Sequence, residues 1–194
     1  MQPPDQKEML DRLKLIETMM AEGKRTTQRW GWSFLLWGIG PLIAMLWAAH
    51  WPHAEWAWPV TIGLCIIVNG LVLKARKRRS ESKTTTMRSV GAVWTCAGAT
   101  VLLVAFGAVW SGMVEFRYLY VALFALAAVA HGASSLILRW WPQFLAALVW
   151  WVASVMAYVV PADRLQELAA LALVLGNVVF GAWLTYCEWS RKDG

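Results

Sequence analysis

The chain has 194 residues, of which 59% are apolar and 15% charged, with 15 Trp and a formal net charge of +6. A soluble domain runs at about 45–50% apolar and about 25% charged, so this composition excludes an ordinary soluble fold. The length is expected to hold one membrane domain and a short extramembrane element, with no separate catalytic or nucleic-acid-binding domain.

Residues 5–29 come first and are polar but patterned. Met9, Leu13, Ile16 and Met20 recur at spacings of four, three and four, which places them on one stripe of a helix. Asp5, Glu8, Asp11 and Glu17 mix with Lys7, Arg12 and Lys14 on the other faces. Net charge there nearly cancels, so the stripe suits a cytoplasmic protein partner or self-association better than anionic lipid. Two heptads are too short to pair alone, because helix nucleation is costly, but a membrane tether raises the effective concentration. The competing expectation is a helix that packs under its own membrane domain or lies on the bilayer surface.

Six apolar runs follow, at 32–49, 57–73, 89–110, 118–138, 144–160 and 167–187, each long enough to cross about 30 Å of hydrocarbon. Hydrocarbon forces each backbone amide to find its partner within its own segment, and none of the runs alternates strictly, so helices are expected over a barrel. Short connections make consecutive helices antiparallel neighbours. The expected fold is an all-α membrane protein: a six-helix transmembrane bundle of three antiparallel hairpins behind an N-terminal cytoplasmic amphipathic helix. Its expected divisions are 1–30 (amphipathic helix), 31–189 (membrane domain) and 190–194 (cytoplasmic tail).

In the first run, Gly38, Gly40 and Pro41 form a helix-interior break. Pro41 cannot donate to the Trp37 carbonyl and crowds it, which predicts a kink. Gly31/Gly38, Gly63/Gly70, Gly91/Gly98 and Ala125/Gly132 each recur at seven residues. That spacing is two turns, so each pair is expected to let a neighbouring helix approach closely.

After the second run, Lys74, Arg76, Lys77, Arg78 and Arg79 abut the membrane and are expected to fix topology and contact an anionic leaflet. The run is short and lacks interleaved aromatics, so nucleic acid is not expected as a partner. With the N-terminus cytoplasmic, sixteen Lys and Arg lie inside and two outside. Trp30, Trp32, Trp94, Trp140, Trp141, Trp183 and Trp189 are expected as anchors at the inner boundary. Trp47, Trp51, Trp56, Trp58 and Trp110 are expected at the outer one.

The middle of each run carries no Asp, Glu, Lys or Arg. Its polar groups are His131, Asn177, Asn69, Ser154 and Thr100, with Ser134 and Ser135 one turn from the histidine. His131 lies eight residues before Arg139, about 12 Å below the inner boundary. A neutral His and an Asn can exchange a hydrogen bond across helices, typically worth about 0.6 kcal/mol, so His131→Gln is expected to keep most stability and His131→Leu to cost about 1 kcal/mol. Trp150 and Trp151 also fall near mid-membrane, where an indole N–H needs an acceptor such as Ser154.

No catalytic constellation, cofactor motif or metal site is read from the chain. Cys65, Cys96 and Cys187 read as small buried apolar residues, and His50-x-x-His53 with Glu55 has too few ligands for a metal. The stretch Gln28-Arg29-Trp30-Gly31-Trp32-Ser33-Phe34-Leu35-Leu36-Trp37-Gly38, directly after a charged helix, resembles the opening of small multi-pass bacterial inner-membrane proteins. Some of those are encoded beside winged-helix regulators. The resemblance covers residues 5–45 and the six-span layout. It implies a bacterial inner (cytoplasmic) membrane and carries no catalytic residue over. The function expected from all of this is non-enzymatic protein interaction or regulation, and the alternative is a transporter or channel for a neutral or amphipathic solute.

Overall fold

In a computed structural model of the chain, residues 6–28, 30–77, 85–112 and 114–190 are described, and all regular structure among them is helical. Helix α1 (Gln6–Gln28) is followed by α2 (Gly31–His50), α3 (Ala57–Lys77), α4 (Thr85–Ser111), α5 (Phe116–Leu138) and α6 (Trp141–Val159). The last span is one continuous helix in three parts: α7 (Leu165–Leu173), a π-helical turn (Val174–Val179) and α8 (Phe180–Trp189). Six stretches are long and apolar enough to cross a membrane, with windows at Gly31–His50, Ala54–Ala75, Thr85–Ser111, Phe116–Leu138, Trp141–Val159 and Ala162–Trp189. The chain is therefore a multi-pass membrane protein.

Helix ends follow from local chemistry. Gly112 takes a positive φ of 61° just past α4. Arg139 takes the left-handed conformation after α5, its N–H reaching the Leu136 and Ser135 carbonyls, and Pro142 opens α6, where a missing N–H costs nothing. At the other end of this pair, the Arg117 guanidinium on α5 donates to the carbonyls of Ala157 (2.6 Å), Tyr158 (3.2 Å) and Val160 (2.8 Å). It thereby covers the bare acceptors at the C-terminus of α6, where a cation also suits the helix dipole. Arg117 is thus more than a topology charge.

Helix α5 sits at the centre and α4 at the edge: 44% of the α5 span is buried, against 6% for α4 and 17% for α3. One core cluster joins Met45, Phe124, Trp150 and Leu165 with alanines of α5, α6 and α7, and a second joins Phe34, Ala146, Phe180 and Leu184. Among the glycines, those that meet a neighbour's backbone most closely lie between α2 and the last span. A Cβ on Gly31 would stand 2.9 Å from the Gly181 carbonyl oxygen, and one on Gly181 would stand 2.8 Å from both the Gly31 carbonyl oxygen and the Leu35 nitrogen. Two turns along, a Cβ on Gly38 would meet Val178 Cγ2 at 2.8 Å and the Asn177 Cβ at 3.0 Å.

The seven-residue glycine pairs thus differ. Gly31/Gly38 is a contact face, and a Cβ on Gly132 would stand 3.1 Å from the Trp151 ring. Gly63, Gly70, Gly91 and Gly98 have nothing within 4 Å of a Cβ, which corrects the expectation for those two pairs. They lie on the two least buried spans, where a Cβ would point into open space. Cys65 is buried, Cys96 is exposed and Cys187 intermediate, so only the first is a core residue. Trp94 also departs from its expected anchoring role, because its ring packs inside against Phe34 and His131.

Gly181→Ala is expected to destabilise the fold by about 1–3 kcal/mol, since its new methyl meets backbone that cannot yield. Gly98→Ala is expected to stay within about 0.5 kcal/mol of the parent. Unfolding of the detergent-purified variants checks this, and equal effects at both positions would contradict the α2 approach.

Candidate intramembrane polar site

The central polar group is His131, 1% exposed, on the face of α5 that also carries Ser134, Ser135 and Leu138. Its Nε2–H donates to Asn177 Oδ1 at 3.4 Å, a long bond. The π-helical turn is what carries Asn177. An extra residue per turn rotates the helix beyond it, and such bulges recur where a helix must present a particular side chain. Gly176, beside it, lies against the Trp150 indole, whose Nε1 would stand 2.5 Å from a Cβ there. The turn is therefore wedged between Gly38 of α2 and Trp150 of α6.

Aromatic rings close around the imidazole. Trp94 stands edge-on at 4.9 Å between centroids, Phe34 at 5.4 Å and Phe180 at 5.8 Å. Phe34 also meets Trp94 (5.2 Å) and Phe180 (5.1 Å) edge-on, and Phe180 leads on to Trp140 and Trp183. Four elements, α2, α4, α5 and α8, thus meet at one ring. Each such aromatic contact contributes about 0.5–1.5 kcal/mol beyond area burial, more than the long hydrogen bond supplies. Ring packing therefore changes the expectation for His131→Gln, because an amide keeps the hydrogen bond and loses the rings.

The other polar residues are not gathered here. Asn69 of α3 accepts from the Ser33 hydroxyl of α2 at 3.0 Å, and Ser154 of α6 donates to the Val121 carbonyl of α5 at 3.1 Å. Thr100 bonds the Cys96 carbonyl of its own helix. His131 and Asn177 form a pair, while Asn69 and Ser154 each tie a different helix junction. Ser154 being engaged elsewhere, Trp150 Nε1 is buried without a hydrogen-bond partner among the described residues. His131 Nδ1, the Ser134 hydroxyl and both amide atoms of Gln143 share that condition. Gln143, fully buried in the first turn of α6, is the residue that sequence reading passes over. The signal for it is its spacing from Ala146, Ala147 and Trp150, which puts it on the buried face.

Gly38, Gly40 and Pro41 lie within α2, which runs unbroken from Gly31 to His50, and Gly40 faces Cys65 of α3. At the first connection, His50 Nδ1 contacts the Leu46 carbonyl at 3.1 Å and His53 lies 3.5 Å from Glu55. No group of three His, Cys, Asp or Glu able to hold a metal stands together among the described residues. Met9, Leu13 and Ile16 are exposed on α1, and Lys74 is exposed at the end of α3. The side chains of Met20, Arg76 and Lys77, and the whole of Arg78 and Arg79, fall outside the described residues. Apolar grooves open on the surface. One is lined by Ile43, Leu46, Trp47, Trp51 and Pro52, and another runs between α6 and α7 past Val152 and Leu168. Neither is lined by His131 or Asn177.

Compared with known proteins, the chain matches no family model, no curated protein and no solved structure.

Double-mutant cycles should order the contacts of His131. The coupling of His131 to Trp94 is expected at about 0.5–1.5 kcal/mol, above the His131–Asn177 coupling of about 0.6 kcal/mol or less. His131→Gln and His131→Leu should then destabilise alike, by about 1–2 kcal/mol. A Gln variant as stable as the parent would show that the amide-like hydrogen bond, and not the rings, holds this junction.

Proposed function

We propose that the chain is a non-enzymatic integral protein of the bacterial inner membrane that acts in protein interaction or regulation, with α1 as its amphipathic docking helix. The observation that carries this reading is exposure. Met9 (48%), Leu13 (57%) and Ile16 (48%) stand open on a helix outside the spans, which leaves these three positions of the stripe accessible to a partner. Apolar surface in that position is stabilised by contact with another surface.

The finer topology belongs to the same reading. Ser33 meets Asn69 and Cys65 faces Gly40, contacts that suit antiparallel α2 and α3. Three hairpins, α2 with α3, α4 with α5 and α6 with the last span, put both termini on the cytoplasmic side, in keeping with the bias of sixteen basic residues to two. Lys74 and the basic residues after it then face an anionic inner leaflet.

A second reading, passage of a neutral or amphipathic solute, draws on one observation. His131 Nδ1, Ser134 and Gln143 are buried donors and acceptors without partners among the described residues, and His131 reaches the π-helical turn through Asn177. Such groups suit a small hydrogen-bonding guest. The docking reading leads because those groups are fully enclosed, whereas Met9, Leu13 and Ile16 are already accessible.

Replacing Leu13 and Ile16 together by Lys is expected to abolish association with the partner, as read by pull-down from membranes, while insertion is unchanged. Capture unaffected by the double substitution would remove the docking reading. Reporter fusions after Ser82 and after Gly194 are expected to read cytoplasmic, and a periplasmic signal from either would overturn the orientation.

A further inference from the structure

The apolar stripe of α1 falls on alternating core positions of a heptad. Met9 and Ile16 occupy d, and Leu13 and Met20 occupy a, which places Leu10 and Glu17 at e and Arg12 and Met19 at g. The g and e positions flank a coiled-coil seam and select the partner. In a parallel pairing, a g residue faces the e residue five positions further along the neighbouring helix. Here that relation joins Arg12 to Glu17, opposite in sign, and symmetry repeats it on the other side of the seam.

Direction is constrained independently. Helix α1 ends at Gln28 and α2 begins at Gly31, so each copy's α1 leaves the membrane domain after two intervening residues. Copies inserted with one topology in one membrane share the component of α1 along the membrane normal, so α1 helices that stand away from the membrane pair in parallel. An antiparallel seam would set g against g and e against e, which loses the Arg12–Glu17 complementarity. Within a single chain Arg12 holds Glu8 at 2.5 Å, with both side chains exposed. Its guanidinium carries five donors in a fork, enough to keep Glu8 while reaching a second carboxylate across the seam.

Building on the docking reading above, we propose that the surface that covers the α1 stripe is the α1 helix of a second copy of this chain, in parallel and in register, with Arg12 of each copy paired to Glu17 of the other. Leu at a and Ile at d, with Leu10 and Met19 beside them, widen the apolar face toward more than two strands, and the g-to-e relation between neighbours is the same in each case. Two heptads are enough because the membrane confines the copies to one plane.

The test uses the full-length chain with Cys65, Cys96 and Cys187 changed to Ala, purified and reconstituted into phosphatidylcholine vesicles. Leu13→Cys and Ile16→Cys are expected to crosslink between copies on mild oxidation, and Leu15→Cys, on the outer c position, severalfold less. In the Leu13→Cys background, Arg12→Glu or Glu17→Arg should cut crosslinking severalfold, and the two together should restore it. The same charge variants in the unmodified chain, sized by mass photometry in nanodiscs, should show the same loss and rescue without any introduced cysteine.

Crosslinking that is equal at all three positions, or charge reversal without rescue, overturns self-pairing. Reaction of the same cysteines with a thiol reagent in freeze–thawed native membranes separates the two claims. If positions 13 and 16 are shielded there but do not crosslink in the purified protein, a different protein occupies the stripe: docking stands and self-pairing falls. If they react as fast as position 15 in both settings, both fall.

Discussion

The arrangement of the membrane domain depends on how closely the first span can approach the last. At Gly31 and Gly181 the two backbones are so near that either Cβ would meet carbonyl oxygen or amide nitrogen below 3 Å. Hydrocarbon supplies no hydrophobic drive between helices, so dispersion at close contact, maximal where side chains are absent, holds them together. That contact brings Phe34 of α2 against Phe180 of α8, and these two rings form much of the wall around His131. Trp94 then gives the peripheral α4 its foothold, and α6 joins through Ala146.

The same contact places two backbone irregularities side by side. Pro41 deprives the Trp37 carbonyl of its usual donor, and the π-helical turn from Val174 to Val179 disturbs the ladder of the last span. Gly38, less than one turn before the proline, packs on Asn177 and Val178 inside that turn. Irregular backbone at membrane depth is tolerated where protein covers it. The glycines that permit close packing thus also shield the places where the helices are least regular, and Asn177 projects toward His131 from the centre of that region.

Much of this is legible in the sequence, and the remainder has a physical reason for being hidden. Span number and limits follow from apolar length, because crossing hydrocarbon is a strict requirement. The His131–Asn177 pair could be anticipated because few polar side chains lie at that depth and they seek one another. Trp94 could not be told from the anchoring tryptophans, since its place near a span end fits both roles and only the tertiary fold decides. Gly91 and Gly98 look like Gly31 and Gly38 in sequence and differ because α4 lies at the edge. The π-helical turn has no local signature in Val174-Leu-Gly-Asn-Val-Val179, and it arises where Trp150 and Gly38 press from two sides. Gln143 was hidden because a glutamine next to a turn reads as solvated until the helix face it shares with Ala146 and Trp150 is known to be buried.

The clamp of Arg117 on the end of α6 also bears on the bilayer itself. Helix α6 has 19 residues, about 28 Å at a rise of about 1.5 Å per residue. It is bounded by a tight turn at Arg139 and Trp140 and by the guanidinium at its far end. Neither boundary can be extended without breaking hydrogen bonds, so α6 has a fixed apolar height. Helix α4, on the edge, has 27 residues, about 40 Å, and adjusts by tilting or by projecting its polar first turn. The molecule therefore presents unequal hydrophobic thicknesses to the lipid around its circumference. A bilayer around the molecule would have to match the height of α6, whereas α4 is free to match the bilayer.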